Sequence, residues 1–136
     1  METKDVYKED YVPAAKNPVL LLPTCKGILF IPVQQIIRIQ SIRNYSKIFF
    51  SNGKTEVVAK VLCWFQQHDG FTSFIRIHRT HLVNISFIKA YREGNLYLYN
   101  GETLIVARRK KKAFFEKLNS CQELLSSLSI IKTSAA

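Results

Sequence analysis

The sequence predicts a mainly β domain with short helices, one internal and one at the C-terminus. Three observations carry that expectation. Between Val19 and Val106 turn residues cut the chain into short runs rich in branched and aromatic side chains. Two dipeptides, Asn52-Gly53 and Asn100-Gly101, each separate a pair of such runs and are strong hairpin signals. Only two stretches place apolar residues at helical spacing.

Taken in order, residues 1–18 mix charges with Pro13 and Pro18, show no apolar periodicity, and read as a flexible N-terminal tail. Val19 to Leu22, Ile28 to Val33 and Ile36 to Gln40 are β-prone runs punctuated by Pro23, Gly27 and Pro32. Ser46 to Phe50 and Thr55 to Val58 form a hairpin around Asn52-Gly53. Lys60 to His68 is the helical interruption: Val58, Val61, Leu62 and Phe65 recur at helical spacing, and Asp69-Gly70 ends the run as a C-cap would. Strand alternation returns at Phe74 to His78, with Ile75 and Ile77 on one face and Arg76 and His78 on the other. Ile85 to Arg92 is a further strand. Leu96 to Tyr99 and Thr103 to Val106 form the second hairpin. A C-terminal helix from about Lys110 to Leu128 carries Phe114, Leu118, Cys121, Leu125 and Leu128 as one apolar stripe, a docked helix rather than a zipper. The domain therefore spans 19–128, with a C-terminal tail at 129–136.

A chain of 136 residues with 47% hydrophobic content suits one domain with a real core. Its formal charge is +10, and the first ten residues hold Glu2, Asp5, Glu9 and Asp10 against Lys4 and Lys8. The remainder sets 18 basic residues against 6 acidic ones. Such an excess points to nucleic acid, or less often to an anionic membrane surface. Cys25, Cys63 and Cys121 form no C-x-x-C pair, so they read as reduced thiols of a cytoplasmic protein, Cys63 as a small core residue beside Trp64. No leader or membrane-spanning run stands out, and the expectation is a soluble, unexported chain.

Catalysis is not expected. The acids beyond residue 10 (Glu56, Asp69, Glu93, Glu102, Glu116 and Glu123) are scattered, whereas a metal-dependent nuclease needs clustered carboxylates. No P-loop, Rossmann glycine pattern or G-x-S-x-G is present. His78 and His81 would point to opposite faces of a continued strand, so neither a metal nor a cofactor is expected.

Three basic clusters remain. Arg43-Asn44-Tyr45-Ser46-Lys47 lies between two β runs; Asn and Arg suit base edges, and Ser, Tyr and Lys suit phosphate oxygens. The second cluster is Arg76, His78, Arg79, Thr80 and His81. The third, Arg108-Arg109-Lys110-Lys111-Lys112, sits between a strand and a helix, which fixes the direction of at least Arg108 and Arg109. Each has a plainer reading as a polar turn, a strand face with Arg76 paired to an acid such as Glu93, or a solvated run. His78 and Asn84 can also serve turn backbone groups.

The second cluster resembles the signature of the LytTR DNA-binding domain, a pattern like F-x-R-x-H-R-S-x-x-V-N. This chain supplies Phe74, Arg76, His78, Arg79, Thr80, Val83 and Asn84, with Thr80 in place of the serine. Arg43-Asn44-Tyr45 is similar to the family's Gly-Asn-Tyr loop without its glycine, and Ala107-Arg108 stands where an Ser-Arg pair is usual. The resemblance runs from roughly Val19 to Leu118. It implies stacked small antiparallel sheets whose loops enter the major groove of double-stranded DNA, often as two copies on paired direct repeats. It further implies a bacterial transcription regulator or response-regulator output domain. The loop near Ser46, the loop at Arg79 and the turn at Arg108-Arg109 match the contacting positions, Arg79 being the foremost base reader. Two other readings stay open: a single-stranded nucleic-acid (RNA) binder using interleaved aromatics, and a basic module for an acidic protein or a membrane surface.

Overall fold

A computed structural model of the protein describes residues 18–126, with side chains described as far as Ser120. The tails expected at 1–18 (Pro18 apart) and 129–136 lie outside the described residues, as do Leu128 and the side chains of Cys121 and Leu125. Ten strands form three antiparallel sheets among the described residues. β1 (Val19–Thr24) and β2 (Gly27–Pro32) make a hairpin. β3 (Ile36–Ile42), β4 (Tyr45–Phe50), β5 (Thr55–Val58), β6 (Phe74–His78) and β7 (His81–Asn84) make a sheet in the order β5-β4-β3-β7-β6. β8 (Ile88–Arg92), β9 (Asn95–Leu98) and β10 (Thr103–Ile105) make the third. The expected mainly β architecture of small antiparallel sheets is the one observed.

The five-stranded sheet is the middle layer, because it is apolar on both faces. One face packs Ile36, Ile39, Ile48, Phe74 and Leu82 against Leu20, Leu22 and Ile31 of the β1–β2 hairpin and against helix α1 (Leu62–Gln66), which contributes Leu62 and Phe65. The other packs Ile37, Ile75, Ile77 and Val83 against Leu96, Leu98, Val106 and Phe114, from the small sheet, its exit and helix α2 (Lys111–Ser126). Phe114 is fully buried and Leu118 packs on the same cluster, so the start of the C-terminal stripe docks on its own domain.

Two bulges adjust this layering. The β3–β4 register shifts between Ile36 and Arg38, and the β6–β7 register between Arg76 and His78. A bulge inserts one residue and turns two successive side chains to the same face. Ile37 and Arg38 therefore both face the small sheet, and so do Ile77 and His78. Simple alternation had placed His78 with Arg76; the bulge at Ile77 parts them.

Local chemistry shortens several expected elements. The internal helix runs only over Leu62–Gln66, and Asp69–Phe71 forms a 3-10 turn whose Gly70 N–H donates to His68 Nδ1. Cys63 is exposed rather than in the core. The expected strand at Ile85 begins instead with a 3-10 turn, Ile85–Phe87, because buried Asn84 caps it: its Oδ1 accepts from the Ser86 N–H at 3.0 Å, and its Nδ2 donates to the Ile36 carbonyl at 3.0 Å.

Candidate nucleic-acid interface

Three turns carry the basic clusters, and backbone pairing brings all three to one end of the five-stranded sheet. The β3–β4 tip and the β6–β7 tip abut because β3 and β7 are neighbours, and the Ser41 N–H donates to the Thr80 carbonyl at 2.9 Å. Beyond β10, the Ala107 N–H donates to the Ile77 carbonyl at 2.8 Å. That bond seats the 3-10 turn Arg108–Lys110 beside the end of β6. None of the chain's acids lies within these turns.

In the β3–β4 tip Arg43, Asn44 and Tyr45 are exposed. Arg43 holds φ at +57°, a left-handed conformation that costs a side-chain-bearing residue roughly 1 kcal/mol. Lys47 is half-buried, its ammonium 5.3 Å from the Phe49 ring centroid. Ser46 corrects the sequence reading. It is fully buried, its hydroxyl donates to the Lys60 carbonyl, and it has no surface to offer a base or a phosphate. Strand alternation starts at Tyr45, so the next residue must turn inward.

The β6–β7 tip is wired by its own polar side chains. Arg76 donates from Nε to the His78 carbonyl at 3.1 Å and from Nη2 to the Arg79 carbonyl at 2.7 Å, while Nη1 reaches Gln66 Oε1 on α1. Glu93, the acid expected beside Arg76, is not its partner. Burial lowers the Arg76 pKa from its ordinary value, yet a guanidinium so placed stays charged. His78 Nδ1 accepts from the Thr80 N–H at 3.2 Å and lies 2.9 Å from the Thr80 hydroxyl. The outcome is a fixed turn with Arg79 exposed at its apex.

In the third turn Arg108 and Arg109 are exposed and Lys110 half-buried. Lys111 reaches back to the β8–β9 turn, its Nζ 3.7 Å from where a Cβ on Gly94 would stand. Lys112 faces outward.

Two residues escaped the sequence reading. Lys60 follows β5, whose Val58 pairs with Ser46, so it joins the basic end with its ammonium 4.8 Å from the Trp64 ring centroid. A lone lysine at a strand–helix junction gives no sequence signal. Arg38 does give one, since a cation within Ile36 to Gln40 needs a partner. It is buried, donates from Nε and Nη2 to both carboxylate oxygens of Glu102 at 2.9 and 3.1 Å, donates from Nη1 to Gln40 Oε1 at 3.0 Å, and lies 3.8 Å over the Phe49 ring. The Arg38 hydrogen bond holds the Glu102 carboxyl below its usual range. His81 stands beside this pair. Burial, then Arg38 and His78, push its pKa from 6.5 down to about 4, and its buried Nδ1 has no hydrogen-bond partner among the described residues.

Among the described residues no three His, Cys, Asp or Glu side chains converge as a metal site, and no helix is long and apolar enough to cross a membrane. Comparison with known proteins decides the kinship of this fold. The family model described as the LytTr DNA-binding domain matches residues 26–119. The chain belongs to the LytTR family. A solved LytTr DNA-binding domain, described as that of a methyl-accepting/DNA response regulator from Bacillus cereus, is 25% identical with a TM-score of 0.59; the match covers 74% of this chain and 95% of that one. No curated protein matches significantly. As a LytTR domain the chain is a DNA-binding module of a non-catalytic family. The glycine missing from its Gly-Asn-Tyr-like loop has a visible counterpart, since Arg43 takes up the positive φ that glycine adopts freely.

Proposed function

We propose that this protein is a sequence-specific double-stranded DNA-binding transcription regulator that inserts its turns in the major groove. One observation carries the reading: three exposed basic turns, far apart in sequence, are tied to one end of a rigid sheet by the Ser41–Thr80 and Ala107–Ile77 backbone bonds. A fixed constellation of guanidiniums can read base edges, whereas a loose basic tail only neutralises phosphates. Arg79 and Arg43 with Asn44 are the proposed base readers, joined by Arg108 and Arg109. Tyr45, Lys47, Lys60, Lys110 and Lys112 bear on the phosphates. Arg76, His78 and Thr80 act from behind the surface, as the builders of the Arg79 turn.

Two copies on direct repeats about one helical turn apart, each formed by a unit near 19–128, complete the proposal. Function as a response-regulator output domain in the bacterial cytoplasm fits the same reading. The single-strand alternative draws little from the fold: Phe65, Phe71 and Phe74 are buried, and Tyr45 is the exposed aromatic in these three turns. The test is selection of duplexes from a random pool, then titration at fixed salt. The selected site should bind about a thousandfold tighter than scrambled duplex. Equal affinity for both, or preference for single strands, would defeat the proposal.

A further inference from the structure

The small sheet and the five-stranded sheet meet through an apolar cluster, and apolar contact has no direction. It holds two layers together, and directional polar bonds add to how firmly one is oriented on the other. Two polar attachments supply that direction, one at each end of β10. At its exit the Ala107 N–H bonds to the Ile77 carbonyl. Before its start, Glu102 is braced by its own turn: the Asn100 side-chain amide donates to Glu102 Oε1 at 3.1 Å, and the Glu102 N–H donates to Asn100 Oδ1 at 2.9 Å. The braced carboxylate then takes the two parallel bonds from Arg38 in mid-β3.

Resting on the DNA-binding reading, we infer that the Arg38–Glu102 pair is a specificity-determining positioning clamp: it sets where the Arg108–Lys110 turn stands relative to the β3–β4 and β6–β7 tips. The geometry matches what such a clamp requires. Arg38 sits on the strand that runs directly to the Ile42–Tyr45 tip, and its Nη1 also holds Gln40, which pairs across to His81 at the root of the β6–β7 tip. Glu102 sits at the head of the strand that runs to Arg108. A bidentate guanidinium–carboxylate pair fixes distance and plane together, which a single lysine bond would not. The bulge between Ile36 and Arg38 is what points this cation at the small sheet, since strict alternation would have turned it to the face opposite Ile37. Neither Arg38 nor Glu102 belongs to the three turns, and both act through the residues that do.

The experiment compares wild type with Glu102→Gln and with the double variant Arg38→Met/Glu102→Leu. The double variant is included because removing one member of a partly buried pair leaves the buried Arg38 charge uncompensated, whereas replacing both with apolar groups does not. Each folded protein is titrated with the selected duplex and with scrambled duplex, and its melting temperature is recorded. For the double variant, scrambled-duplex affinity should stay within about twofold, while the preference for the selected duplex should fall at least about tenfold, the scale of one misplaced bidentate base contact. Glu102→Gln should fall part of the way. A folded double variant with undiminished preference overturns the clamp. Should that variant fail to fold, an undiminished preference in Glu102→Gln overturns it equally. A wild-type chain with no preference at all would instead defeat the proposed function, an outcome read before either variant is made.

Discussion

The β3–β4 and β6–β7 tips offer the same kind of cation at the same end of one sheet, yet they are built on different plans. The β3–β4 tip has little wiring of its own: Arg43 sits at a strained positive φ, and the bond from Ser41 to Thr80 leans it on its neighbour. The β6–β7 tip is held from within, with Arg76, His78 and Thr80 bonded to the turn that presents Arg79. Arg76 and Arg79, three residues apart, thus have opposite tasks. One has each of its guanidinium nitrogens engaged in the protein, and the other is exposed. On the proposed function, Arg76 is scaffold and Arg79 reader because the fold already uses the donors of the first and leaves the second exposed.

The largest effect that would break this contrast is expected from Arg76→Ala. It removes two charge-assisted hydrogen bonds to the Arg79 turn and a third to Gln66 on α1, and should cost about 2–3 kcal/mol of folding stability in urea titration. Binding to the selected duplex should also drop further than for any substitution of Arg79. Arg76→Lys should restore little, because an ammonium cannot span the two carbonyls and Gln66 as the planar fork does.

Acid should act next, through His81 at the root of the same tip. Above pH 6.5 the ring is neutral in both the folded and unfolded chain, and contributes no slope. Between 6.5 and about 4 only the unfolded chain binds the proton, so stability falls with pH; below about 4 both forms are protonated and the loss is complete. After discounting for solvent at a half-buried ring, the loss amounts to about 2 kcal/mol. Glu102, whose pKa is lowered, adds its own loss from the ordinary carboxylate range downward. His81→Leu should flatten the upper window of urea midpoints against pH and leave the lower one. An unchanged upper window would assign the slope to another group.

Arg79→Ala sharpens the comparison from the other side. Stability should be unchanged, while the selected site loses about 1–3 kcal/mol and preference relaxes at one or two base pairs. Equal weakening on scrambled duplex would demote Arg79 to a phosphate contact. The smallest effect belongs to Lys112→Ala, which should weaken both duplexes alike and reduce the salt slope by about one.

Much of the fold was legible because it rests on local signals. The hairpins at Asn52-Gly53 and Asn100-Gly101 and the docked face at Phe114 are written in turn chemistry and periodicity. The shift of His78 away from Arg76 was not, since a bulge depends on the partner strand, and β7 pairs through a register that no local pattern states. Ser46 was misread because it lies among Arg43, Asn44, Tyr45 and Lys47, although strand parity alone would have sent it inward. Cys63 was assigned to the core from its apolar neighbours, but α1 is too short to bury more than Leu62 and Phe65. The convergence of the three basic clusters could come only from long-range backbone bonds, as could Glu102 as the partner of Arg38.

The place of β3 also governs the order in which the molecule can come into being. Its pairing with β4 joins Arg38 to Phe49, a hairpin contact of the kind that closes in microseconds. Its pairing with β7 joins Arg38 to Val83, across all of β4, β5, α1 and β6, and carries a loop-closure cost about 1 kcal/mol larger. On a chain emerging from the ribosome, β3 must wait for β7, and the small sheet comes later still. The end that carries the three basic turns is therefore completed late. A nascent or partly unfolded chain carries the cations without their arrangement, so it can cling to any polyanion but select none.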